Sequence, residues 1–287
     1  MHPLLKLIRP HQWIKNGFVF TGLLFSHSWH DMSMMKSAIL AAAGFSLAAS
    51  ATYIINDYFD REQDAQHPVK KIRPLASGTV SVPLALSLAA CLFSAGLVLS
   101  VYAGQYVVWL LLGYIVLTLS YTLWLKHEVI LDVFIISGGF MLRILAGTTG
   151  IGIPPSRWLL LCGFMLTLFL GFAKRRSELL MLEDGGAKHR KVLGNYNSAL
   201  LDKMLGVTAA CTIMSYGLYT INEDTLQIHH SSDLIYTLPL VSYGIFRYMY
   251  LLHQKRVGSD PAKEIRENPQ LLAVAVLWVV AVIWLTQ

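Results

Sequence analysis

The sequence predicts an all-α protein, a polytopic membrane bundle of about nine transmembrane helices with its N-terminus in the cytoplasm and its C-terminus outside. Three observations predict this: composition, recurring apolar stretches and the placement of the basic residues. The 287 residues are 55% hydrophobic and 14% charged, with a mean hydropathy of +0.52. A soluble domain would carry roughly 25% charged residues.

Crossing about 30 Å of hydrocarbon takes about 20 apolar residues in a helix. Segments that meet this need run over 16–30, 37–56, 83–101, 106–125, 130–148, 157–173, 204–221, 234–252 and 270–286. The first is short. Gly and Pro inside several segments suggest kinks and close helix contacts. The start, Met1 to Lys15, is short, polar and basic and does not read as a cleavable leader. Cys91, Cys162 and Cys211 lie inside apolar segments and read as small core residues, with no disulfide framework. No soluble domain or strong linker interrupts the pattern. The expectation is one integral-membrane domain over 1–287, with polar active-site loops at about 57–82 and 174–203.

Orientation comes from the cations. Nineteen of the 23 Lys and Arg residues fall on one side when alternate connections are grouped, and Lys36 and Arg157 fall on the other. The positive-inside rule makes the rich side cytoplasmic. The net charge of +6 is then concentrated on one face, suited to anionic headgroups and phosphorylated substrates. Nucleic acid is not expected, because membrane-hugging clusters explain the same charges.

Asn56-Asp57-Tyr-Phe-Asp60-Arg-Glu-Gln-Asp64 follows an uncharged run, Ala38 to Ile55. Asp57, Asp60 and Asp64 stand at offsets of three and four, which puts their carboxylates on one helical face, with Asn56 on a neighbouring part of it. Converging carboxylates repel unless a cation neutralises them, and hard oxygen donors suit Mg2+. The plain alternative is a solvated acidic helix end. His67-Pro68 then stops the helix, and Lys70, Lys71 and Arg73 arrive before Pro74, with Ser77-Gly78 closing the turn. Metal-binding acids followed by bases make complementary grips on a phosphorylated ligand. Lys15, at the start of the first span, is a further phosphate-binding candidate.

A second constellation ends the sixth span. Lys174-Arg175-Arg176 with Glu178 leads into a polar loop through Arg190, Lys191 and Tyr196, with Gly185-Gly186 as a hinge candidate and Glu183-Asp184 most simply a solvated turn. A basic run at a cytoplasmic helix end is also the commonest topological anchor. Between the two constellations lie Tyr121, Lys126 and Asp132, and one span deeper Arg143. An intramembrane arginine implies a partner or a wet cavity. Arg143 is expected to face the bundle interior structurally, with direct pairing to Asp132 left open. His229-His230 reads as a loop feature.

The N-D-x-x-D-x-x-x-D pattern at a cytoplasmic helix end of a nine-span bundle resembles the UbiA-type superfamily of polyprenyl-group transferases. Four stretches are similar to its branch of phosphoribosyltransferases that act on polyprenyl phosphates: Arg9-Pro10-His-Gln-Trp13-Ile-Lys15-Asn16, Asn56 through Gly78, Tyr121 through Asp132, and Lys174 through Glu178. The likeness spans most of the chain and thins after about Tyr250. It implies Mg2+-dependent transfer of 5-phosphoribose from 5-phosphoribosyl 1-diphosphate to a polyprenyl phosphate in the inner (plasma) membrane, releasing diphosphate. The product would be a precursor for cell-wall or other polysaccharide synthesis. Near Asn268 the family leads one to expect an acid, so this chain departs from the pattern there.

Chemistry separates the branches. Aromatic prenyltransferases of the superfamily grip one prenyl diphosphate with two acidic motifs, whereas the second motif here is basic. A donor with a diphosphate at one end and a phosphate at the other calls for one metal site and separate cations. On this reading Asn56, Asp57, Asp60 and Asp64 hold Mg2+ on the leaving group, with the three aspartates catalytic. Lys15, Lys70, Lys71, Arg73, Tyr121, Lys126, Lys174, Arg175, Arg176, Arg190 and Tyr196 bind substrate. Which cluster takes the 5-phosphate and which the lipid phosphate stays open. An aromatic prenyltransferase of quinone synthesis and a non-enzymatic lipid-binding or transport protein are the rival readings. A homo-oligomer is compatible with the chain.

Overall fold

The computed structural model describes residues 2–66, 70–183, 194–229, 231–254, 264 and 267–286, and within these every regular element is helical. The helices are α1 (Pro3–Ile8), α2 (Thr21–Phe25), α3 (Met32–Gln66), α4 (Val82–Ala103), α5 (Gln105–Leu123), α6 (Leu131–Ala146), α7 (Arg157–Glu183), α8 (Ser198–Thr220), α9 (Glu223–His229), α10 (Leu238–Gln254) and α11 (Pro269–Leu285). Eight of the nine segments expected from the sequence coincide with a helix. The first differs: 16–30 is broken into a 3-10 segment, Pro10–Phe20, the short α2, and a further 3-10 turn at Ser28–His30.

Five helical stretches among the described residues are long and apolar enough to cross a membrane: Met32–Gln66, Val82–Ala103, Gln105–Leu123, Leu131–Ile151 and Arg157–Leu180. A sixth is counted if α8 and α9, bent by 56°, form one span. The chain is thus a multi-pass membrane protein. Hydroxyls within the apolar helices bond the carbonyl one turn back, as in Ser46 to Ala42, Ser100 to Gly96, Thr118 to Tyr114 and Thr212 to Thr208. Such bonds satisfy polar groups where no water is available.

Contacts divide the chain into two compact units. The first comprises 1–23, 28–126 and 142–154. Here small residues let α3 and α4 approach closely. A Cβ at Gly44 would lie 2.8 Å from Ser100 Oγ, and one at Gly96 would lie 2.9 Å from the Gly44 carbonyl oxygen. A core of Val19, Phe45, Ala48, Val107, Leu111 and Tyr114 fills this unit. Arg143 is buried within it, as expected. Its Nε donates to Asn16 Oδ1 at 2.6 Å, its Nη2 donates to Tyr114 Oη at 2.9 Å, and its guanidinium lies over the Tyr114 ring. Asp132, the partner left open, belongs to the other unit.

The second unit comprises 24–27, 127–141 and 155–287. Its core gathers Val133, Phe169, Phe172, Leu201, Leu205, Tyr248 and Leu252. Trp278 Nε1 donates to Tyr216 Oη at 2.9 Å, tying α11 to α8. His229 is buried at the end of α9, where its Nε2 lies 3.3 Å from Tyr219 Oη; a residue expected in a loop is in fact packed. His230 lies outside the described residues.

Candidate functional site

Helix length delivers the acids to the membrane rim. α3 has 35 residues, so it is about 52 Å long against about 30 Å of hydrocarbon. Its final turns, which carry Asp57, Asp60 and Asp64, extend past the apolar stretch. Asp57 and Asp64 are buried and Asp60 is half-buried.

These carboxylates meet cations from three remote segments. Arg73 Nη1 bridges Asp57 Oδ1 at 3.0 Å and Asp64 Oδ2 at 2.6 Å. Arg9 Nη2 donates to both Asp57 oxygens, at 2.6 and 2.7 Å, and its guanidinium lies over Tyr53. Asp60 takes Lys126 Nζ at 2.7 Å on one oxygen and Asn56 Nδ2 at 3.0 Å on the other. The sequence suggested a metal grip with bases beside it. In the structure the bases sit on the acids themselves, because carboxylates one and two turns apart on a helix repel and the nearest cations relieve that repulsion.

Arg9 was absent from the sequence-derived site. It caps α1 in the left-handed region, φ 55°, an uncommon conformation for a side-chain-bearing residue. The turn there feeds the 3-10 segment back along α3, where Trp13 Nε1 bonds Ser50 Oγ and Asn16 Nδ2 bonds Ser46 Oγ. The signal in the sequence was an arginine ahead of Pro10 and an aromatic-polar run. Nothing in it named Asp57 as partner.

The fit of these residues to Mg2+ can be tested by their donor chemistry. Two carboxylate oxygens converge on one cationic nitrogen at Arg73, with a third carboxylate one turn away, and hard oxygen donors are what Mg2+ prefers. The residues fit the ion, with Asp57 and Asp64 the converging pair and Asp60 beside them. Among the described residues no ready-made cluster of three or more His, Cys, Asp or Glu is preorganised for a metal.

The second unit carries the inverse arrangement. Arg175 on α7 is 1% exposed, and its Nε donates at 2.6 Å to Oδ2 of Asp132, which is wholly buried in the first turn of α6. Its Nη1 donates to Glu178 Oε2 at 2.5 Å. Tyr196 Oη donates to the other Asp132 oxygen at 2.7 Å and accepts the Ile130 backbone N–H at 2.7 Å. Burial, then the bond to Asp132, pushes the Tyr196 phenol well above its usual range, so it remains a proton donor. Arg176 Nε donates to Asp202 Oδ1 at 2.8 Å, and His253 Nε2 lies 3.3 Å from the same oxygen.

Asp202 and His253 also escaped the sequence reading, and Asp132 was singled out there without its partner Arg175. A carboxylate in the first turn of an apolar helix signals a hidden partner, but the sequence reading weighed only Arg143 for that role. Of the remaining expected site residues, Lys15 is half-buried in the 3-10 segment, Lys70 is half-buried and Lys71 exposed in a 3-10 turn, Tyr121 is half-buried in the last turn of α5, and Lys174 is half-buried on α7. Arg190, with Lys191, Gly185-Gly186 and Asp184, lies outside the described residues.

A multi-pass helical membrane protein with clustered carboxylates on one long helix and clustered guanidinium groups on another is the class that fold and site define. Residues 17–266 match the UbiA prenyltransferase family, and the chain belongs to it. It is 36% identical over 257 residues to the decaprenyl-phosphate phosphoribosyltransferase of Mycolicibacterium smegmatis, covering 85% of this chain and 80% of the relative. It is 32% identical over 288 residues to the protein of the same name from Corynebacterium glutamicum, covering 98% and 85%. A UbiA homologue from Archaeoglobus fulgidus, solved bound to GPP and Mg2+, superposes with a TM-score of 0.76 at 17% identity, covering 99% of each chain. That likeness shows the fold. The chain is a transferase of the UbiA type.

Proposed function

We propose that this protein transfers 5-phosphoribose from 5-phosphoribosyl 1-diphosphate to a polyprenyl phosphate, releasing diphosphate and giving polyprenylphosphoryl 5-phosphoribose. One observation carries the reading: the second charged motif, Lys174-Arg175-Arg176, is cationic where a prenyl diphosphate held at both motifs would call for carboxylates. The names of the two relatives above support the same substrates.

Asp57, Asp60 and Asp64, with Asn56, would hold Mg2+, whose charge favours departure of the diphosphate. Arg9, Arg73 and Lys126, now on the carboxylates, would turn to phosphate oxygens as the ion takes over the acids. Lys15, Lys70, Lys71 and Tyr121 would serve the same anionic groups. Lys174, Arg175 and Arg176, with Arg190 and Tyr196, would receive a phosphate monoester, either the 5-phosphate or the lipid phosphate. The acceptor is already an anion, so no general base is needed. Its oxygen forms a bond to ribose C1 as the C1–O bond to diphosphate breaks, the electron pair leaves with diphosphate, and C1 inverts. The proposal extends to one integral-membrane domain of nine spans in the plasma membrane, with the N-terminus and both charged motifs on the cytoplasmic side and the C-terminus outside.

The test incubates purified protein with labelled phosphoribosyl diphosphate, a polyprenyl phosphate and Mg2+, with and without a chelator. The expected result is a lipid-soluble labelled product that the chelator abolishes. Consumption of a prenyl diphosphate with an aromatic acceptor instead would overturn the reading.

A further inference from the structure

Arg175 is held by two carboxylates of different character. Asp132 is fully buried, binds Nε, and is itself fixed by the Tyr196 hydroxyl on its second oxygen. Removing it would strand two buried donors. Glu178 reaches Nη1 from one turn along the same helix, and its side chain is 22% exposed against 0% for Asp132. A guanidinium offers five donors in a planar fork that suits phosphate as well as carboxylate. One of its carboxylates is therefore part of the core, while the other sits on a flexible arm at the edge of solvent.

We propose that Glu178 is an internal stand-in for a phosphate monoester at Arg175, swinging away when that ligand binds, and that Asp132 is the positioning residue that keeps the guanidinium aimed during the exchange. Asp132 alone already balances the single charge of Arg175. With Glu178 added, two carboxylates face one guanidinium, so an anion binds only by displacing Glu178, which favours dianionic phosphate over weaker anions. The inference rests on the reading that this cluster receives a phosphate monoester, and it defines a competition that the reading alone does not contain.

The experiment measures equilibrium binding of two probes, ribose 5-phosphate and farnesyl phosphate, to the detergent-solubilised full chain. Glu178→Gln and Glu178→Ala should each tighten one probe by about threefold to fivefold, the upper range for a solvent-edge ion pair. Glu178→Asp, which retains the charge, should stay near wild type. The probe that responds identifies which phosphate Arg175 receives. Asp132→Asn should weaken the same probe. Unchanged or weakened binding of both probes in the Gln and Ala variants would overturn the exchange, as would the same tightening in the Asp variant. These measurements need no turnover. A protein that makes no phosphoribosyl lipid yet shows the tightening would overturn the proposed reaction and leave the exchange standing.

Discussion

The two charged clusters are inverses of each other. In the first unit the acids lie on a single helix, α3, and their cations arrive from Arg9, Arg73 and Lys126. In the second the cations lie on a single helix, α7, and carboxylates arrive from Asp132 on α6 and Asp202 on α8, with Glu178 from α7 itself. Each unit thus concentrates one sign of charge on a rigid helix and neutralises it with the other sign. In the proposed mechanism the helix that owns carboxylates trades its cationic partners for a metal ion. The one that owns guanidinium groups trades Glu178 for phosphate. The difference in burial is equally instructive: the cations on Asp57 and Asp64 are a fifth to a quarter exposed, whereas Arg175 and Asp132 are sealed. On the proposed reading the first cluster exchanges its cations, and the second exchanges only at its Glu178 edge.

The largest effect should come from Asp60→Asn with Asp64→Asn. Removing two of three carboxylates should lower Mg2+-dependent product formation by more than about 100-fold, the scale of lost preorganised charge stabilisation. Full activity in the double variant would break the assignment of the first cluster to the metal. Next, Arg175→Met leaves a carboxylate buried without its charge partner and should cost about 3–5 kcal/mol. The counterpart in the first unit, Arg73→Met, leaves Asp57 with Arg9 but takes the more exposed cation from Asp64, and should cost about 1–3 kcal/mol. Thermal unfolding in detergent reads both, and equal losses would erase the contrast in burial.

A gentler comparison uses two tightly packed glycines. A Cβ at Gly147 would run into the Val19 backbone carbonyl, whereas one at Gly171 would meet the tip of a side chain, Val133 Cγ1, at 2.6 Å. Backbone yields less than a side chain. Gly147→Ala should therefore lower stability by about 3 kcal/mol and Gly171→Ala by about 1–2 kcal/mol. The smallest effect belongs to Arg61→Ala. Its 3.6 Å pair with Glu62 is well exposed, so the change should stay within about 0.5 kcal/mol.

Much of this was legible in the chain. The helices α3 to α8 begin and end within about six residues of the apolar segments, apart from the extensions of α3 and α7 that carry the charged motifs, because hydrocarbon requires continuous apolar helix and charge marks its edge. The interior placement of Arg143 followed from the cost of an unpartnered charge in a membrane. The start of the chain was read as a short first span, 16–30, whereas with Pro10, Gly17 and Gly22 in and around it the stretch folds as 3-10 and short helical pieces against α3. The charged motifs were found and their partners were not. Asp57 with Arg9 spans 48 residues of chain, and Asp132 with Arg175 spans 43.

The sequence by itself determined the membrane setting, the order and extent of the long helices, and which side chains make up each charged motif. Those properties follow from local composition and from periodicity along single helices. Only the tertiary structure decided that Arg9 belongs to the acids, that Asp132 and not a residue of the first unit holds Arg175, and that the cations at α7 are already balanced by carboxylates. The physical reason is that hydropathy and helical spacing act between neighbours in sequence, whereas the pairing of charges is set by which helices pack together and how much water is left between them.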